Sequence, residues 1–484
     1  MNKIKILISS FILLFLLISI SCESDITRLN EDQKNPNHTD YTYLLTNAEI
    51  EIANQMSTTS VNYNIMRTFT QQITETEYLD ESRYNLFKRR VPDNTWNKLN
   101  YGLNSLALAK EGVRKDGKID EITKKNKILT IEALEAYIYS VLVDTYGDVP
   151  YSESTQIDKT NTPKYDDAFT IYKSLIKKCD DIYNGIDISK SGFTNGDLIF
   201  KGNLLSVKKF AATLKLRLGI NLADVDNVLA KNTVESAYKQ GVILLNSDNL
   251  GIKFDKSGLF TSPIFQEVVQ SGRNDWVAAN TLVDVLNQKS DPRREKFFTS
   301  VSGDKEKFVA IGGEYGKGNL YSNFSHIHPS ILVADYKYNL FEAAENLFIL
   351  AEAAERGYSV GGTASSYFKK GIQESMESWG VNSEDAKKYI AANDYAGLSG
   401  TWKQKIGNEA WIATYNRGLE AWTFSRRLDF RNFVPPAQNP LPTRLYYPIK
   451  ESSVNRLNRD AAVVKQWGSV SNDVQSSKIF WDKY

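Results

Sequence analysis

Two cysteines and three histidines are all that this chain of 484 residues contains, and that scarcity closes several chemical routes. A Ser/His/Asp arrangement must recruit His38, His326 or His328, and no Gly-x-Ser-x-Gly elbow accompanies them. His326 and His328 are spaced to share one strand face as two metal ligands, yet no third ligand is evident. An excess of either charge is missing too: 59 Lys and Arg face 58 Asp and Glu, a net charge of +1. Nothing in that balance implies a nucleic acid or another polyanion as partner. The glycine-rich stretch Gly312-Gly313-Glu314-Tyr315-Gly316-Lys317-Gly318 lacks Walker spacing and a following Ser or Thr, so it reads as a flexible loop and not a phosphate cradle. No catalytic constellation, cofactor or metal is implied. Paired carboxylates for glycoside hydrolysis stay open, because 58 acids always offer pairs and their separation in space decides.

What is present starts at the N-terminus. Lys3 and Lys5 precede an apolar run from Ile6 to Ile20 broken only by serines, the n-region and h-region of a secretory signal peptide over residues 1–21. The run is short for a membrane helix, which needs roughly 20 apolar residues. Ser21-Cys22 at its end resembles a bacterial lipobox, with Ser19 where the usual pattern has leucine. The thiol of Cys22 is the nucleophile that accepts a diacylglycerol. Several acyl chains of the palmitate kind, at about 0.8 kcal/mol per buried CH₂, make such an anchor effectively permanent. Ordinary secretion and a retained anchor helix are the alternatives. Glu23 and Asp25 resemble the export signals that send some lipoproteins to the outer face of the outer membrane. With Cys22 lipidated, Cys179 has no disulfide partner. It lies in helical step with Phe169, Tyr172, Leu175, Ile176, Ile182 and Tyr183, as a buried thiol does.

Past a polar tether at residues 22–40, the periodicity predicts a succession of helix pairs. The first helix runs from Asp40 with Leu44, Leu45, Ala48, Ile52 and Met56 inward. A second starts with Asp93 as N-cap and aligns Trp96, Leu99, Leu103, Leu106 and Val113. A third covers about 122–146, stopped by Gly147 and Pro150, and further helices cover about 166–184, from 206, and 227–245. Residues 69–92 read as a structured surface loop. Between about 247 and 335 the chain turns irregular, rich in Gly, Ser, Asn and Asp, with one helix at 277–288. Helical character returns at 338–356, 364–379, 383–392 and 400–429, followed by a Pro-rich tail leading to Trp481. Alanines in these helices allow axes to approach to roughly 8 Å. The pairs resemble tetratricopeptide arrays, without a strict 34-residue period.

Several runs match one family in order. They are Leu29-Asn30 through Asn35-Pro36-Asn37, Asp144-Thr145-Tyr146-Gly147-Asp148-Val149-Pro150-Tyr151-Ser152-Glu153, Asp291-Pro292-Arg293, Glu345-Asn346-Leu347-Phe348-Ile349-Leu350-Ala351-Glu352-Ala353, Trp422 with Arg426-Arg427-Leu428-Asp429-Phe430, and Arg444-Leu445-Tyr446-Tyr447-Pro448. On these the chain resembles the SusD/RagB nutrient-binding outer-membrane lipoproteins. One departure is Gly407-Asn408-Glu409-Ala410-Trp411, where many relatives carry Gln-Lys-Trp, read here as a scaffold position. The resemblance implies a mainly α fold over residues 22–484: a SusD-like scaffold of tetratricopeptide-like helix pairs with an irregular, loop-rich lobe. It also implies a shallow ligand site on that lobe and a SusC-like TonB-dependent barrel as partner. The motifs themselves have local structural readings. Arg426 and Arg427, for instance, complement a helix end and are placed to fork to Asp429 or Glu420.

Ligand contacts belong to loops that match no motif. Aromatics are abundant, with 8 Trp, 26 Tyr and 22 Phe, more rings than the helical cores obviously consume. Candidates are those in polar, non-periodic contexts: Tyr78 and Tyr84 beside Arg83, Trp276 beside Arg273, Asn274 and Asp275, and Tyr315, Tyr321 and Phe324 in the glycine-rich stretch. Each has the alternative of packing its loop onto the scaffold, while Trp96 and Trp411 sit in helical step as core. Flat rings under a sugar face, with guanidinia and carboxylates at the hydroxyls, bind oligosaccharides at roughly millimolar to micromolar strength, about −4 to −8 kcal/mol. The expected protein is a surface-exposed lipoprotein that binds oligosaccharide for a barrel partner. The rivals are the same scaffold binding peptides, a surface hydrolase, and a lid with no ligand contact of its own.

Overall fold

Side-chain caps decide where most scaffold helices begin. The helices of the first half are α1 (Tyr41–Ser57), α2 (Val91–Lys115), α3 (Glu121–Tyr146), α4 (Ala168–Gly185), α5 (Leu204–Asn221) and α6 (Asn227–Gln240). Asp120 accepts from the amides of Ile122 and Thr123 to open α3. Asp167, Asn203 and Asp226 do the same for α4, α5 and α6, satisfying donors that a helix start leaves unpaired. Each of these helices packs on the next in chain order, which is the expected succession of helix pairs. The computed structural model describes residues 39–156, 158–304, 307–436 and 439–484. The signal segment, Cys22 and residues 22–38 of the tether lie outside them. Residues 41–484 form one compact unit.

The second half contains α7 (Asn280–Gln288), α8 (Ala343–Glu355), α9 (Ala364–Ser378), α10 (Ser383–Ala392), α11 (Trp402–Ala413), α12 (Gly418–Leu428) and α13 (Arg456–Trp467). Helix α8 joins the halves, touching α5 on one side and α9 and α11 on the other. Two short antiparallel ribbons complete the fold: β1 (Ile73–Glu75) with β3 (Trp276–Ala278), and β2 (Leu250–Lys253) with β4 (Lys337–Phe341). Mainly α, with a loop-rich lobe held by these ribbons, is the architecture that the sequence implied.

Several boundaries differ from the sequence reading. Helix α2 starts at Val91, so Asp93 lies inside its first turn. Pro92 suits that place because an early helical residue needs no amide donor. Val277 belongs to β3 and Leu340 to β4, not to the helices that follow them. Helix α6 stops at Gln240, where Gly241 takes φ 88°. The predicted helix over 400–429 is two helices, broken where Asn416 turns to φ 67°. That break swings Arg417 inward to Glu345 at 2.7 Å and to the Leu340 carbonyl at 2.9 Å. The tail holds α13, which the Pro-rich composition around it hid.

The family motifs turn out to be the joints of this scaffold. Arg217 and Arg417 both close on Glu345 and both reach Glu420 at 3.3 Å, with all four side chains buried. Arg427 pairs with Glu352 at 3.0 Å and donates to Asn221 at 2.7 Å. Arg426 lies over Trp422, 3.6 Å from its ring centre, and donates to the carbonyls of Asp144 and Thr443. Neither arginine forks to Asp429 or Glu420, because both point across the helix into the core and not along it. Tyr146 donates to the Pro92 carbonyl at 2.6 Å, and Asp148 caps the Ala168 amide at 2.8 Å. Cys179 is buried as expected, and burial pushes its thiol up to about 12.

Candidate functional site

The ribbon of β1 and β3 gathers three distant segments of the lobe. Its register pairs Ile73 with Ala278 and Glu75 with Trp276. Beyond the ribbon the pairing continues through loops. The Thr76 amide donates to the Asp275 carbonyl at 2.9 Å, its hydroxyl to the Asn274 carbonyl at 2.7 Å, and the Asn319 amide to the Thr76 carbonyl at 3.2 Å. Residues 76–78, 273–275 and 319–321 therefore lie side by side although some 240 positions separate the first from the last.

This edge carries the exposed groups. Tyr78 is 59% exposed, and the Arg273 guanidinium sits 5.8 Å from its ring centre. Asp275 holds that guanidinium at 2.5 Å, and the pairing raises the Arg273 pKa. On the neighbouring segment Leu320 is exposed, and the half-buried Tyr321 ring stacks on His326, centres 3.7 Å apart and planes 6° from parallel. An aromatic ring thus stands beside an ion pair, and the adjoining segment carries a second aromatic stack, so the edge offers apolar faces and charged hydrogen-bonding groups.

The other predicted residues are placed differently. Arg83 is exposed, and its Nε donates to the Gly316 carbonyl at 2.9 Å, tying two loops. Tyr84, Trp276 and Tyr315 are buried, which corrects the expectation that these rings face solvent. Tyr84 takes a hydrogen bond from Gln71 at 3.0 Å and packs near Tyr315, whose hydroxyl donates to the Thr68 carbonyl at 2.5 Å. Trp276 is buried because ribbon pairing sets it opposite Glu75, itself enclosed. These three rings fasten the lobe to the scaffold, and of the predicted rings only Tyr78, Tyr321 and Phe324 keep surface open to solvent.

Below the edge lies a carboxyl in an unusual state. Glu75 is enclosed, and one of its oxygens accepts from the Ser82 amide at 2.9 Å. Burial pushes its carboxyl up to about 9, with the Glu81 charge adding and the Ser82 amide opposing. His326 is occupied with Tyr321, and His328 pairs with the Ser330 hydroxyl at 2.8 Å. Among the described residues no three His, Cys, Asp or Glu side chains cluster to hold a metal ion. Sequence reasoning weighed His326 as a triad histidine or a metal ligand and missed its stacking role. It also passed over Phe87, 65% exposed at the other end of the 78–87 segment.

Residues 33–448 match a SusD-like family described as starch-binding and associating with the outer membrane. Among solved structures, a chitin-binding protein superposes with a TM-score of 0.79 at 24% identity, over 92% of this chain and 100% of its own. A chitin-binding SusD homologue from Flavobacterium johnsoniae gives 0.76 at 22% identity, over 91% and 98%. A SusD-like protein from Bacteroides thetaiotaomicron gives 0.76 at 21%, over 92% and 99%. At such identities the likeness is one of fold. No curated protein matches the chain.

Proposed function

The chain belongs to the SusD-like family, and on that premise we propose that it captures oligosaccharides at the Tyr78–Arg273–Tyr321 edge and hands them to a SusC-like TonB-dependent barrel. The observation that supports this reading is Tyr78 standing beside the Arg273–Asp275 pair, with the Tyr321–His326 stack on the adjoining segment. Rings give sugar faces an apolar floor, and the ion pair supplies donors and an acceptor for hydroxyls. The chitin-binding relatives and the starch-binding family description point to the same ligand class. Weak capture suits the role, since a carrier that holds its cargo at roughly micromolar strength or weaker can release it again. Cys22, lipidated after removal of residues 1–21, anchors the protein in the outer membrane facing out. Residues 22–40 are then the tether, and the loop-rich region of about 247–335 carries much of the site. The protein performs no bond cleavage in this scheme.

A glycan-array and peptide-library screen of residues 23–484 tests the reading. Binding to one glycan class, lost in Tyr78→Ala and Tyr321→Ala without a change in melting temperature, supports it. A response to peptides alone overturns the sugar assignment, and release of new reducing ends by the purified protein overturns the non-enzymatic role.

A further inference from the structure

A cavity of about 540 Å³ opens at the far end of the 78–87 segment, walled by Phe87, Tyr446, Pro448, Ile449, Arg459 and Asp473. Its size falls within the roughly 300–1,000 Å³ range of small-ligand sites. The Phe87 and Tyr446 rings meet at 6.3 Å with planes 39° apart, forming a bent aromatic wall. Phe87 is 65% exposed, an apolar ring held out on a loop that is otherwise well secured. Asn439 donates to the Arg83 carbonyl and Gln475 to the Tyr84 carbonyl, both at 3.0 Å, so the backbone that presents Phe87 is fixed in place. Opposite the rings the floor is polar and preorganised. Asp473 accepts from Arg444 at 2.8 Å and from the Tyr447 amide at 3.0 Å, and Arg459 stands 3.4 Å from its second oxygen.

We infer that this cleft is a second oligosaccharide-binding subsite, in which Phe87 and Tyr446 take a sugar face and Arg459 and Asp473 bond the sugar hydroxyls. The inference rests on the glycan-binding reading above and extends it from one surface to two. Polar and apolar walls face each other here as they do at the Tyr78 edge, and the ligand that needs both is amphipathic ring by ring. The segment from Tyr78 to Phe87 borders both places, and its nine peptide units span at most about 30 Å. A glycan long enough to touch both gains from the second contact as an intramolecular event, so affinity rises with chain length beyond what either place gives alone. Two weak contacts then select long chains while each still releases readily.

Titrations of the purified mature protein with maltoheptaose and with a chitin hexasaccharide, each compared with its trisaccharide, test the inference in wild type, Phe87→Ala, Arg459→Ala and Tyr78→Ala. Phe87→Ala is expected to weaken binding of the long glycan about tenfold while leaving trisaccharide binding and melting temperature near wild type. Arg459→Ala, which keeps both rings, is expected to weaken it about threefold, the share of one hydrogen bond. Long-glycan binding unchanged in Phe87→Ala but abolished in Tyr78→Ala overturns the second subsite and leaves the proposed function standing. Binding abolished by Phe87→Ala and untouched by Tyr78→Ala removes the Tyr78 edge instead and makes the cleft the principal site. A wild type that binds neither glycan at any length overturns both.

Discussion

Arg293 and Glu409 close on each other at 2.9 Å with neither side chain reaching solvent. Asp291 holds the same guanidinium at 2.6 Å, while Lys289 and the Tyr389 hydroxyl satisfy the other Glu409 oxygen. This joint ties the end of α7 to α10 and α11, and so fixes the lobe against the second helical half. Removing one member leaves a buried charge short of a partner, which costs more than the pair contributes. Glu409→Ala is expected to lower stability by about 3–5 kcal/mol, read as a fall in the urea midpoint. A loss below about 1 kcal/mol, the level of an exposed pair, would contradict this account of the joint.

Rings of the lobe divide into two groups that alanine substitution will separate. Tyr84 and Trp276 are buried among the core, so Tyr84→Ala and Trp276→Ala are expected to cost about 3–5 kcal/mol and to lose binding only through loss of structure. Tyr78→Ala and Tyr321→Ala remove exposed or half-buried rings and are expected to shift stability by less than about 1 kcal/mol. Their effect belongs in ligand titration. Thermal melts of all four variants beside glycan titration check the division, and a stable Tyr84→Ala that has lost binding would move that ring into the site.

Much of the scaffold was legible because its information is local. Trp96, Leu99, Leu103, Leu106 and Val113 repeat at helical spacing and are all buried on α2, and Gly147 ends α3 at φ 91°. What escaped depends on partners far away in sequence. Leu340 reads as helix from its neighbours, yet β4 forms because β2, near 250, pairs with it. Gly251 is required there: a Cβ at that position would stand 2.0 Å from the Tyr338 carbonyl oxygen. The candidate site shows the same limit. Polar, aperiodic context picked out the 78–84, 273–276 and 315–321 segments that the structure brings together. Which rings point out was set by the ribbon register and by Gln71 and Thr68, to which no local pattern refers.

The proposed membrane attachment turns on a single thiol. Cys22 lies outside the described residues, and its lipidation is proposed from the Ser21-Cys22 junction after the apolar run. Without the thiol no acyl chain can be attached at this position, so in cells that lack the barrel partner the lipid's share of membrane attachment is read alone. Cys22→Ser is expected to move the protein from the membrane pellet to the soluble fraction, with loss of labelling by a clickable palmitate analogue. Pelleting that persists while labelling is lost would show the apolar run itself retained as the anchor.

Glu75 makes the lobe sensitive to pH in a direction opposite to most carboxylates. Its folded pKa is about 9, against about 4.3 for an unfolded glutamate. Between those values the folded protein keeps a proton that the unfolded chain has lost. Stability from this group is therefore fully present below the unfolded value and falls as pH rises toward 9. The charged neighbours are Glu81, whose charge adds to the rise, and Arg89, which engages Glu81 at 2.5 Å and leaves Glu75 without a cation of its own. Glu75 lies on β1, directly before the Thr76 contacts that align the three edge segments, so its ionisation strains the pairing that presents Tyr78. Urea midpoints are expected to fall from about pH 5.5 to about pH 8.5, and Glu75→Gln, which stays neutral, should flatten that fall. Glycan affinity at the Tyr78 edge should weaken over the same interval in wild type and hold in Glu75→Gln. An identical pH slope in the variant would place the proton elsewhere, and the Glu49–Asp197 carboxyl pair, where burial also raises both groups, is the next place to look.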